Sequence, residues 1–221
     1  MHVVIVGGGI AGLSAGYRLS QGGHRVTVFE KEPELGGLAR SFRLGDHYLE
    51  RYYHFICLND DPLLELVDEL GLSARLHWVN TGMGQYFEDV LYAFGEPWDL
   101  LTFAPFNLWE KLRFGWNIMA VKRQPRDGWR ELEHVTAPDW LVSTFGRRAF
   151  EVVHRPLIEL KFGEYAHRLS AAWIWARFHR IGKSRTRWTQ REKLGYLEGG
   201  MHTLVSRLAR EIEARQGTIY T

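Results

Sequence analysis

At 221 residues the chain has the length of one large domain or two small ones, and 45% hydrophobic with 24% charged residues excludes intrinsic disorder and low-complexity structure. A net charge of +2 argues against a dedicated nucleic-acid binder. The single cysteine, Cys57, excludes an intramolecular disulfide and a thiolate metal cluster, and it suits a reducing, cytoplasmic compartment.

From the amino terminus, residues 3–6 read as a short buried strand, 10–20 as a helix and 25–29 as a second strand in which Val26 and Val28 alternate. Gly22-Gly23 end the helix and turn the chain. The first apolar run is broken by Gly7-Gly8-Gly9 and has no basic stretch before it, so neither a secretory signal nor a membrane span is expected there. Residues 41–49 suit a hairpin turning at Gly45-Asp46. A helix follows, capped by Asp60 or Asp61, with Pro62 in its first turn, an apolar stripe of Leu63, Leu66, Val67 and Leu70, and Gly71 as its stop.

Short strands are expected over residues 76–92, and a helical pattern over 98–119 is interrupted at Pro105. The apolar region 101–121 carries Glu110, Lys111 and Arg113 in its middle, which speaks against a transmembrane helix and leaves peripheral membrane contact open. Thr136 and Asp139 have the spacing of a capping box before 140–145, with Gly146 as stop. Further helices are expected over 150–160 and 170–179. Finally, Met201, Leu204, Val205, Leu208, Ala209 and Ile212 recur at the helical period before a strand at 218–220. The chain stops at Thr221, directly after that strand, from which a fragment, or one of two polypeptides with a second chain supplying the other half, is expected.

The densest signal lies in the first 45 residues, which hold ten of the 23 glycines. Gly7-x-Gly9-x-x-Gly12 follows a strand and opens a helix, and Glu30 ends the next strand. Gly7 permits the tight turn, Gly9 lets a pyrophosphate approach the backbone, and Gly12 allows close packing of helix on strand. The helix start at Ile10 and Ala11 offers free amides and a positive dipole end to phosphates, and Glu30 can accept hydrogen bonds from ribose hydroxyls. Strand, glycines, helix, second strand and acid in register form the fingerprint of a Rossmann-type dinucleotide site, which serves both NAD and FAD.

The run from Glu30 to Ser41, with Gly36-Gly37 inside it, resembles the extended FAD motif of the amine oxidase superfamily. That superfamily also takes in protoporphyrinogen oxidases, phytoene desaturases and, more distantly, UDP-galactopyranose mutases. Glu69-Leu70-Gly71-Leu72 and the segment from Gly195 to Leu204 resemble further segments of these flavoproteins. Residues 51–54, 161–163 and 172–175 look like a bacterial branch described as protoporphyrinogen-oxidase-like or mutase-like. The resemblance implies FAD as cofactor, with Lys31, Gly36, Gly37, Leu38, Ala39 and Arg40 joining Gly7, Gly9, Ile10, Ala11, Gly12 and Glu30 in the site. Many members carry arginine where Leu38 stands, and Arg40 is expected to supply that cation.

Tyr53 and His54 fall where the resemblance places a strand end near the isoalloxazine ring, as candidates for substrate packing and proton movement. Packing at a domain interface is the alternative for both, and the preferred one. Trp173 and Trp175, two apart, suit core packing, with a pocket wall as the alternative. The basic run 183–191 suits an anionic substrate or anionic lipid, with a solvated face as default. Residues 147–193 hold twelve basic and four acidic side chains, so one face of the protein is expected to be basic. The ten histidines show no metal-binding spacing, and no metal is expected.

Together these features predict an α/β protein: a Rossmann-type FAD-binding segment over 1–75, a mostly helical, partly stranded substrate or cap region over 76–192, and a truncated return segment over 193–221. The expected activity is FAD-dependent oxidation by removal of a hydride from a C–N or C–C bond of a small molecule, possessing an anionic group or a lipid link. Alternatives are a mutase-like flavoenzyme acting on a nucleotide or lipid-linked sugar, and a non-catalytic dinucleotide-binding subunit. The location expected is the cytoplasm, with peripheral contact at the inner membrane face.

Overall fold

Residues 2–29 fold as β1 (His2–Val6), α1 (Ile10–Gln21) and β2 (Arg25–Phe29). The computed structural model describes residues 1–125, 127–180 and 193–221 in full and the backbone of 181–183. β1 and β2 are parallel, from His2↔Arg25 to Val6↔Phe29. Parallel neighbours need a crossover, and α1 supplies it, burying Leu13 and Tyr17. The hairpin of β3 (Ser41–Leu44) and β4 (His47–Glu50) turns at Gly45, whose φ of +60° suits glycine. β5 (Ile56–Cys57) leads into α2 (Asp61–Glu69), with Pro62 in its first turn, and β6 (Leu76–Asn80) follows.

The next segment opens with a second hairpin, β7 (Gly84–Phe87) and β8 (Val90–Ala93). Then come α3 (Pro97–Thr102), α4 (Leu108–Arg123), α5 (Ala137–Phe145), α6 (Arg147–Ala149), α7 (Arg155–Phe162) and α8 (Ala171–Lys183). The chain returns through β9 (Lys193–Leu197), α9 (Met201–Ala214) and β10 (Thr218–Tyr220). It divides into two units, Met1–Val79 with Leu194–Thr221, and Asn80–Lys193.

In the first unit β10 joins β2 in parallel, giving the order β1-β2-β10, and β9 lies between β5 and β6. Leu204, Val205, Leu208 and Ile212 of α9 meet Leu13 and Tyr17 of α1 in one apolar core with Val26 and Val28. The last helix thus completes a layer that the first helix begins. The second unit has its own core, in which Phe103, Phe106, Phe114, Leu141 and Phe145 are buried.

Local structure departs from expectation at several places; β1, expected to be a buried strand, leaves Val4 and Val6 exposed. Residues 150–160 are not one α-helix: Phe150–His154 form a π turn between α6 and α7. Pro156 has no amide for the carbonyl four residues back, and the helix widens just ahead of it. The capping box at Thr136 is half made. Its hydroxyl accepts from the Asp139 amide at 3.3 Å, but the Asp139 carboxylate takes the Thr136 hydroxyl at 2.6 Å. Two full boxes stand where none was expected, Glu96 with Asp99 and Asn107 with Glu110, opening α3 and α4 on either side of Pro105.

Candidate dinucleotide-binding site

The turn after β1 admits only glycine at two points. Gly7 has φ +105° and donates its amide to the Phe29 carbonyl at 2.7 Å. A Cβ on Gly12 would stand 2.0 Å from the Gly7 carbonyl oxygen, so α1 can lie this close to the turn only without a side chain there. Gly9 is the N-cap of α1, with no side-chain cap and no acid in the first turn. The amide end that begins at Ile10 and Ala11 therefore keeps its positive dipole unneutralised by its own helix.

Glu30 closes the other side. Its Oε2 accepts from the Gly8 amide at 2.6 Å and its Oε1 from the Glu32 amide at 3.1 Å. The hydrogen bonds from Glu32 and then Gly8 hold its carboxyl below the ordinary carboxylate range. An ionised carboxylate has about four acceptor positions, so this clasp leaves room for ribose hydroxyls.

The glycine pair forms the third wall. Gly36 has φ +116°, donates its amide to the Gly8 carbonyl at 2.8 Å and bridges Gly9. Gly37 has φ +57°, and a Cβ on it would come within 3.2 Å of the Gly9 Cα. Leu38 is 75% exposed and Ala39 buried. Arg40 Nη1 lies 3.2 Å from Glu32 Oε2, while its Nε is buried without a hydrogen-bond partner. Lys31 points outward, 3.9 Å from Glu32.

The structure therefore gathers Gly7, Gly9, Gly12, Glu30, Gly36 and Gly37 around one turn, with Arg40 tied to Glu32 beside it. Sequence reasoning overlooked Gly8 as the donor to Glu30 and Glu32 as the partner of Arg40. Gly8 was visible inside the glycine run, whereas a pair eight residues apart follows no period. A bare, positively poised helix end, an ionised acid with free acceptor positions and a buried guanidinium nitrogen without a partner suit the pyrophosphate and ribose of a dinucleotide.

Tyr53 and His54 lie between β4 and β5. Tyr53 is 72% exposed, with its ring 6.2 Å from that of Phe55, and His54 Nδ1 is 2.6 Å from the Tyr52 carbonyl oxygen. Trp175 is buried on α8, donates to Gln124 and stacks on His179; Trp173 packs edge-on against Phe162. The side chains of the basic run 183–191 lie outside the described residues. Among the described residues no three His, Cys, Asp or Glu side chains converge as a metal site. A cavity of about 490 Å³ lies between the segment after Glu30, the first hairpin and α9, bordered by Leu35, Ser41, Tyr48 and His202. Of the proposed cofactor residues only Ala39 touches it.

The family model described as flavin containing amine oxidoreductase matches residues 10–221. The L-amino acid oxidase Cdc18 of Crotalus durissus cumanensis is 55% identical over 47 residues, 21% of this chain and 9% of that one. The 15-cis-phytoene desaturase of Synechococcus elongatus is 28% identical over 156 residues, 64% of this chain and 33% of that one. A solved oxidoreductase from Methanosarcina mazei superposes with a TM-score of 0.71 at 16% identity, covering 100% of this chain and 51% of its own, a likeness of fold. The chain thus spans about half the length of that solved structure and a third or less of the two relatives. Among the described residues no helix is long and apolar enough to cross a membrane.

Proposed function

The chain belongs to the flavin-containing amine oxidoreductases, and from that premise we propose that it carries the FAD-binding part of an enzyme oxidising a C–N or C–C bond of a small molecule. FAD would accept the hydride. The chain's own residues bind and orient it: the amides opening α1 and the unpartnered Arg40 Nε serve the pyrophosphate, and Glu30 the adenosine ribose. The glycines at 9, 36 and 37 let both backbone segments approach the cofactor without side chains between. The observation that carries this reading is the clasp of Gly8 on Glu30, 2.6 Å long, beside the close approach of Gly37 to Gly9.

The C–N option draws on the family description and on the L-amino acid oxidase, the C–C option on the desaturase. The test begins with the visible spectrum of the protein purified from cells, and mass spectrometry of what denaturation releases. Absorbance near about 375 and 450 nm with released FAD is expected. Anaerobic addition of amines, amino acids and polyenes in turn then asks which bleaches the longer-wavelength band. A protein that neither carries nor takes up FAD overturns the reading.

A further inference from the structure

Helix α4 has two apolar faces, and the core uses one of them. Phe114 and Val121 are buried, Phe114 in the core of the second unit with Ile118 packed against that core. Leu108, Trp109, Leu112 and Trp116 are all exposed, Trp109 at 78% and Trp116 at 71%. At 3.6 residues per turn these four fall within an arc of about 100° on the side away from Phe114 and Val121. α3 adds exposed Trp98 and Leu101, and its carboxyl end is tied to α4 by the Lys111 ammonium, which donates to the Leu101 carbonyl at 2.7 Å.

Charge on α4 is one-sided, and the two acids at the start of α3, Glu96 and Asp99, are engaged with each other's backbone in a capping box. α4 carries Lys111, Arg113, Lys122 and Arg123 against one acid, Glu110, which is committed to the Asn107 amide at 2.8 Å. Lys111 and Arg113 flank the stripe, and Arg123 continues its line two turns beyond Trp116. Residues 80–193 hold 18 lysines and arginines against 13 acids, a net +5. Tryptophan and leucine between basic flanks match a surface that is apolar beneath and anionic at its edge.

We propose that the outer face of α4, with the adjoining α3, docks on an anionic lipid bilayer, lying in the interface without crossing it. Trp109, Trp116, Leu108 and Leu112 enter the acyl boundary, while Arg123 and Lys111 meet headgroup phosphates; Arg113, whose guanidinium donates to the Ser143 and Thr144 carbonyls, adds its positive charge at the edge. This is independent of the cofactor reading, since none of these residues belongs to the dinucleotide site.

The test is co-sedimentation of the 221-residue chain with vesicles of phosphatidylcholine containing phosphatidylglycerol, and with pure phosphatidylcholine, at low and high salt. Binding to the anionic vesicles, a blue shift of tryptophan emission and weakening by salt are expected. The double variant Trp109→Ser, Trp116→Ser should partition at least about ten-fold more weakly. Leu160→Ser, at a 90% exposed position on α7, should bind like the parent. Far-UV circular dichroism checks that each variant is folded. Four results overturn the proposal: no binding to anionic vesicles at low salt, equal binding to neutral ones, a folded double variant that binds like the parent, or a parent whose only interaction is self-association lost in the double variant.

Discussion

The Gly8 amide donates to Glu30 Oε2 across 2.6 Å and so locks the acid after β2 onto the turn after β1. The same carboxylate is held below its ordinary range by the Glu32 and Gly8 amides. Its acceptor state is present above its folded pKa and is lost only as pH falls through that depressed value. FAD affinity, measured by flavin fluorescence quenching, should therefore stay constant from pH 7 to 5. Glu30→Ala should weaken it about 10- to 100-fold, the range for hydrogen bonds to a charged group. An affinity already falling between pH 7 and 5 would assign the ribose to another group.

Arg40 is paired with Glu32 at 3.2 Å yet keeps a buried Nε without a partner. If that nitrogen faces a phosphate, Arg40→Ala should cost about ten-fold in FAD affinity. Glu32→Gln, which frees the guanidinium, should cost less or strengthen binding. Unchanged affinity in Arg40→Ala would leave the pyrophosphate to the amides opening α1 alone.

Gly12→Ala would place a Cβ 2.0 Å from the Gly7 carbonyl, a clash of backbone with no flexible side chain to yield. A loss of about 3 kcal/mol, or failure to fold, is expected. Gly45→Ala meets nothing within 4 Å but sits at φ +60°, so its cost should be about 1 kcal/mol. Urea denaturation of the two variants should rank them in that order.

What was legible in the chain is what local pattern encodes. Val26 and Val28 alternate, the apolar residues of α9 recur at the helical period, and Gly45 and Gly71 punctuate, so these elements stand where the sequence puts them. β5 and β9 were not foreseen. β5 is two residues long, β9 carries Gly195 in its interior, and their pairing Ile56↔Gly195 joins distant parts of the chain. The π turn was hinted at by Pro156, but the apolar residues before it also fit an ordinary helix. In the site, the glycines and Glu30 were legible because a turn of fixed form needs them. The Arg40–Glu32 pair was not, because it depends on how the loop folds back.

A second long-range contact of this kind caps α9. Glu50 Oε1 accepts from the Met201 amide at 2.8 Å, while the N-cap itself, Gly200, offers no side chain. A carboxylate at a helix amino end both satisfies an amide and opposes the dipole. Glu50→Ala should thus destabilise the first unit by about 1 kcal/mol, and Glu50→Gln by less, in urea denaturation. Equal stability of all three proteins would mean that solvent serves that amide as well.

His154 sits in the π turn with its ring stacked on Phe114 at 5.8 Å and beside Phe145 and Phe178. It is buried with Nε2 unpartnered, and desolvation pushes its pKa down to about 3 from the 6.5 of a free imidazole. The unfolded chain takes up a proton below about pH 6.5 that the folded one refuses, so this stability is intact above 6.5 and is lost progressively as pH falls toward 3. The slope for one such group is at most about 1.4 kcal/mol per pH unit. His154→Phe keeps a ring in the cluster and removes the titration. Its denaturation midpoint, followed by tryptophan emission, should fall less than the parent's between pH 6.5 and 5. Parallel falls in the two proteins would mean that the acid sensitivity of this unit arises from other groups.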